Sequence, residues 1–141
     1  MKSLLTASLL VGATLVLCRD ARPTHRSPST SEGVQTIEMI AKKYEFEPTT
    51  IRVKQGIRGQ LKIKAPDHTH GFRINDVAEG KENSSKLGLV FASARDCTKI
   101  EEGKTETVKF VAQTPGTYQF RCCVHCGWHH RGMKGELIIE P

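Results

Sequence analysis

From Val34 onward, apolar residues recur at every second position in short runs, the period of strands that bury one face. The alternation is plainest in Leu61, Ile63 and Ala65 and again in Val108, Phe110 and Ala112. It predicts strands over residues 35–40, 50–53, 60–65, 71–74, 88–91, 105–112, 117–122 and 136–140. Turn chemistry separates them at Lys54-Gln55-Gly56, Glu102-Gly103 and Thr114-Pro115-Gly116. Residues 76–86 are rich in Gly, Asn and Ser and read as a surface loop, and no stretch keeps a helical period over three turns. The expectation is an all-β sandwich.

The pattern before residue 34 is different. Leu4 to Leu17 is apolar except for Thr6, Ser8 and Thr14, follows Met1-Lys2, and ends at Arg19-Asp20. A membrane-spanning helix needs about 20 apolar residues, so the run has the length of a secretory leader rather than of an anchor. Residues 1–21 are therefore expected to be a signal peptide, with Ala21 as a small residue near the cleavage point, or a lipoprotein-type leader acylated at Cys18. Residues 22–33 read as a flexible tether in which His25 is simply solvated, and residues 34–141 as one domain. Export follows from the leader, to the periplasm or the outer face of a membrane, with a membrane tether through the N-terminus left open.

A chain of 141 residues holds one domain and a leader, with no room for a second domain. Its net charge of +6 is scattered among acidic residues instead of forming a stripe, which argues against nucleic acid as a partner. Two readings of the basic surface stay open, solubility and steering of an acidic protein. The sequence has neither a Gly-x-Ser-x-Gly elbow nor a phosphate-binding glycine loop, so nothing points to a hydrolase or a nucleophilic enzyme.

Candidate chemistry is concentrated between Phe120 and Gly135, where Cys122, Cys123, His125, Cys126, His129, His130 and Met133 fall within a dozen residues. Thiolate, thioether and imidazole donors suit copper, zinc or iron–sulfur chemistry, and the absence of carboxylates from this segment excludes calcium and magnesium. The segment joins two predicted strands, so its donors project from one end of the sandwich. His70, at the start of another strand, can meet them there, and rigid β scaffolds commonly present binding groups on such loops.

The spacing Cys122-x3-Cys126-Gly127-x2-His130-x2-Met133, with Asp67-x2-His70-Gly71-Phe72 upstream, resembles the binuclear copper A site of cytochrome c oxidase subunit II and nitrous oxide reductase. Pro115-Gly116-Thr117-Tyr118-x-Phe120 is also similar to the strand that precedes a cupredoxin ligand loop. The resemblance implies a cupredoxin-like Greek-key sandwich. It further implies two copper ions bridged by Cys122 and Cys126, each capped by one of His70 and His130, with Met133 and the backbone carbonyl of Val124 as weak ligands. The implied role is electron transfer to or from a cytochrome or terminal oxidase. Any enzymatic label would be that of the module through which electrons enter a terminal oxidase.

Departures from the family leave alternatives. Subunit II normally carries transmembrane helices, whereas this chain has at most one marginal segment, which suits a free carrier. Cys97 and Cys123 are not needed by the pattern; they form a disulfide between the long loop and the ligand strand, or Cys123 is a spare thiol or a substituted ligand. His68 shares the strand parity of His70, but the His-Gly-Phe context favours His70. His125 and His129 read as exposed loop residues or as hydrogen-bonding partners of the ligands. Trp128 reads as a cover for the site, a contact for a redox partner or a partly buried aromatic. A mononuclear type 1 copper site, a copper storage or delivery protein and a structural zinc site are the rival functions.

Overall fold

The structure is a computed structural model that describes residues 33–93 and 96–141. The leader at 1–21 and nearly all of the tether at 22–33 lie outside the described residues. Among the described residues the chain forms β1 (Val34–Lys42), β2 (Glu45–Glu47), β3 (Thr50–Lys54), β4 (Arg58–Lys64), β5 (His70–Ile74), β6 (Leu89–Phe91), β7 (Thr98–Ile100), β8 (Thr105–Ala112), β9 (Gly116–Arg121) and β10 (Lys134–Glu140). A single 3₁₀ turn, His130–Gly132, interrupts the strand pattern.

Two five-stranded sheets result, in the orders β2-β1-β4-β8-β6 and β3-β10-β9-β5-β7. The pairs β1–β4 and β3–β10 are parallel and the remaining pairs antiparallel. After β2 the chain crosses from one sheet to the other at each connection as far as β9, so neighbours in sequence face each other across the core. This is the all-β sandwich that the alternation predicts.

Period-two burial builds that core. Ile51 and Val53 of β3, Leu61 and Ile63 of β4, Tyr118 and Phe120 of β9, and Leu137 and Ile139 of β10 all point inward and are buried. Each such large side chain contributes about 1.5–3 kcal/mol through burial. Phe46, Phe72 and Phe120 form an aromatic cluster with centroid separations of 5.8, 5.4 and 5.4 Å. Phe72 lies two residues after His70 and Phe120 two before Cys122, so this cluster braces the strand ends that carry the candidate ligands. Tyr118 is fully buried and donates its hydroxyl to the carbonyl of Thr114 at 2.7 Å, fixing the turn into β9.

Two strands escape the sequence pattern. β2 has only Phe46 facing inward between two glutamates, and β7 pairs an apolar Ile100 with a buried Thr98. Three residues are too few for a period to register, and pairing with β1 and β5 creates these strands. Residues 75–88 contain no strand, as expected of the long loop. That loop is nevertheless held: Asp76 O accepts from Gly88 N and Leu89 N, and Ala78 is buried.

Candidate metal centre

β9 ends at Arg121 and β10 begins at Lys134, so residues 122–133 form a loop between adjacent antiparallel strands. Its ends are clamped because Cys122 N–H donates to the carbonyl of Met133 at 2.9 Å. Gly132 N–H donates to the carbonyl of His129 at 2.9 Å and closes the 3₁₀ turn. His70 opens β5, which pairs with β9 through Arg73 and Ile74.

This arrangement brings together most of the residues selected from the sequence. The Sγ atoms of Cys122 and Cys126 lie 3.3 Å apart, and both cysteines are free and buried. A ring nitrogen of His70 and these two sulfurs all fall within 4.8 Å of one another. Met133 is fully buried with its Sδ 3.9 Å from Cys126 Sγ. The carbonyl oxygen of Val124 lies 3.2 Å from Cys122 Sγ, which donates to it. His130 opens the 3₁₀ turn; its side chain lies outside the described residues.

The electrostatics suit a cation. Burial, followed by the hydrogen bond and charge of Cys122, pushes the Cys126 thiol up to about 12. The Cys126 sulfur is therefore hard to ionise without a cation to compensate it. Burial alone would raise the Asp67 carboxyl, but hydrogen bonds from His70 and from the N–H groups of Lys43 and His68 outweigh it and hold it below the ordinary carboxylate range. An ionised Asp67 can only accept, so the Nε2–H of His70 donates to Asp67 Oδ1 at 2.9 Å. Nδ1 of the fully buried His70 then keeps its lone pair and has no hydrogen-bond partner. Leaving a buried polar atom unsatisfied costs about 1–3 kcal/mol, a cost that metal coordination removes. The donor set and this orphaned nitrogen fit a soft or borderline metal ion.

The other histidines stand apart from the cluster. The ring of His68 stacks on that of His70 at 6.4 Å, so His70 alone of the two joins the thiols. His125 is exposed, and exposed His129 makes an edge contact with Tyr44 at 5.1 Å. Trp128 is 96% exposed, which removes the reading of a buried aromatic.

Three supports of the site were undetermined or unseen in the sequence. Cys97 and Cys123 form a disulfide, with Cα atoms 5.8 Å apart, which decides the open alternative for Cys123. Gly71 lets the ligand loop approach β5: a Cβ there would meet Cys123 Sγ at 2.7 Å and Val124 N at 2.8 Å. Tyr44, at φ 64°, lies against Gly127, where a Cβ would come within 3.0 Å of its hydroxyl. The glycine beside His70 was a readable sign of close approach, whereas nothing near Tyr44 in sequence marks its contact with the loop.

A two-sheet β sandwich that gathers two thiols, an imidazole and a thioether at one end defines a cupredoxin-type protein. The chain belongs to the cupredoxin-like domain family, whose model matches residues 7–139. It is 26% identical over 120 residues to cytochrome c oxidase subunit 2 of Thermus thermophilus, covering 85% of this chain and 76% of the relative. For a second Thermus thermophilus protein of the same name, also 26% identical, the chain spans 61% of the relative's length. Among solved structures, a heme-copper terminal oxidase dimer matches with a TM-score of 0.56 at 19% identity, covering 86% of this chain and 76% of that one. Auracyanin B matches with a TM-score of 0.56 at 18% identity, covering 76% and 89%. At these identities the two structures establish the shared fold.

Proposed function

We propose that the chain is an exported electron-transfer protein with a binuclear copper centre, which the thiolates of Cys122 and Cys126 would hold. In this reading His70 and His130 would complete the donor set, with Met133 and the Val124 carbonyl as weaker donors. The observation that carries it is the pair of free buried sulfurs 3.3 Å apart, since a mononuclear type 1 site uses only one thiolate. The likeness to cytochrome c oxidase subunit 2 supports copper as the metal and an oxidase or cytochrome as the partner.

When bound, the copper pair would supply one-electron transfer with little change in bond length. The chain's own residues provide the frame. The clamp from Cys122 N to Met133 O and the disulfide at Cys123 hold the loop, while Asp67 holds the His70 ring in one tautomer. Cys122 and Cys126 are 6% and 7% exposed, so the protein keeps bulk water from the sulfurs. The Cys97–Cys123 disulfide supports an oxidising compartment, in agreement with the leader. Among the described residues no helix is long and apolar enough to cross a membrane.

Copper stoichiometry combined with electron paramagnetic resonance tests the reading. Two coppers per chain sharing one unpaired electron are expected. One copper with an electron localised on a single nucleus would overturn the binuclear centre and favour the type 1 alternative.

A further inference from the structure

We infer that the face over Cys122 is a cationic docking surface for an acidic redox protein. Arg73 of β5 and Arg121 of β9 are direct cross-strand partners, and Arg121 is in turn the partner of Lys134 on β10. Three positive side chains thus stand side by side across neighbouring strands, all exposed. Like charges placed directly opposite one another destabilise a sheet, so this row works against the fold that carries it.

No described carboxylate forms an ion pair with the row, although Glu136 stands diagonally across from Arg121, and Asp76, Asp96 and Glu106 line depressions that Arg73 also borders. Arg73, Arg121, Arg131 and Lys134 make no ion pair or side-chain hydrogen bond among the described residues, although acidic side chains pair with Lys42, Arg52 and Lys99 elsewhere. Residues 120–135 contain no Asp or Glu. Arg73, Arg121 and Arg131 line a depression of about 490 Å³ whose other walls are Cys122 and Cys123. The unpaired charge is therefore gathered beside a candidate ligand instead of being spread with the rest of the net +6. Trp128, on the same loop and 96% exposed, adds a large ring of the kind enriched at protein contacts.

Charge complementarity selects an occupant with clustered carboxylates, and the place selects a redox protein. A partner seated there brings its own redox centre next to Cys122. A membrane surface fits less well, because Trp128 is the one large apolar side chain exposed on the described part of this loop, and stable interfacial binding needs a broader apolar face. Complementary charge raises the encounter rate and orients the partner, and salt weakens both effects.

This inference rests on reading the loop as an electron-transfer site, so its test is made on binding by the metal-free full chain, which the copper assignment does not affect. The probes are cytochrome c and its succinylated form, which present the same haem fold with basic and acidic surfaces. Immobilised chain should bind the succinylated form at least about tenfold more tightly at low salt, and lose that preference at several times higher ionic strength. Arg73→Glu and Arg121→Glu should each weaken binding several-fold, whereas Lys62→Gln on the other sheet, a neutralisation because Lys62 stands opposite Glu38, should not. Each arginine reversal puts opposite charges across the strands, so these two variants should melt no lower than the parent, which separates lost docking from lost folding. Equal binding of both probes, or no effect of the two reversals, would overturn the inference. So would binding to phosphatidylglycerol vesicles that outcompetes the acidic probe and depends on the same arginines.

Discussion

His70 gives its Nε2–H to Asp67 across 2.9 Å, and this single hydrogen bond decides which ring nitrogen keeps a lone pair. Asp67 is itself fixed by the N–H groups of Lys43 at 2.6 Å and His68 at 2.8 Å. The carboxylate therefore positions the imidazole from a defined place on the turn before β5. Replacing Asp67 with Ala should leave the sandwich folded and lower metal affinity by about 10–100-fold, the usual cost of losing a carboxylate behind a histidine ligand. Competition against a chelator of known affinity measures this. Unchanged affinity would mean that Asp67 does not orient His70.

The sulfur donors should divide into essential and tuning groups. Cys122→Ser or Cys126→Ser removes one of two adjacent thiols and should abolish the binuclear signal. Met133 touches Cys126 from a fully buried position, so Met133→Leu roughly conserves volume and should keep two coppers while shifting the reduction potential. Metal analysis beside a redox titration distinguishes these outcomes. Loss of all copper from the leucine variant would give Met133 a holding role.

Reduction of the Cys97–Cys123 disulfide should cost stability. It closes a sequence separation of 26 residues, for which the chain-entropy model gives about 3.5 kcal/mol. Urea unfolding of the metal-free protein, reduced and oxidised, measures the difference. Thiol reagents should reach Cys97 and Cys123 only after reduction; modification of both in the untreated protein would contradict the bridge.

How far the sequence carries this picture depends on how many residues each feature uses. Long runs such as β4 and β8 repeat their alternation often enough to be read directly, and the ligand spacing from Cys122 to Met133 is local. The gathering of His70 with Cys122 and Cys126 was legible because strand ends and loop meet at one end of a sandwich. β2, β7 and the contact of Tyr44 with Gly127 were not legible, because each is created by a neighbour distant in sequence. The Cys97–Cys123 bridge was legible as one alternative beside a spare thiol or a substituted ligand, and the approach of Cys97 to the loop selects it. The cationic row of Arg73, Arg121 and Lys134 is invisible as a pattern along the chain, because register alone makes those three residues neighbours.

Gly71 offers the sharpest link between packing and the metal centre. A methyl group at this position would stand 2.7 Å from Cys123 Sγ, 2.8 Å from Val124 N and 3.0 Å from Val124 Cγ1. The disulfide and the backbone cannot yield as a flexible side chain would, so Gly71→Ala must push the start of the ligand loop away from β5. Overpacking of this kind costs about 1–3 kcal/mol. Because Val124 lies between the two thiols in sequence and its carbonyl touches Cys122, the displacement should also disturb the donor set. The expected result is a lower melting temperature together with an altered optical and paramagnetic spectrum of the copper-loaded protein. A variant that loses stability but keeps the parent spectrum would show that the loop moves as a rigid unit with its ligands, and that Gly71 serves the fold without setting the site.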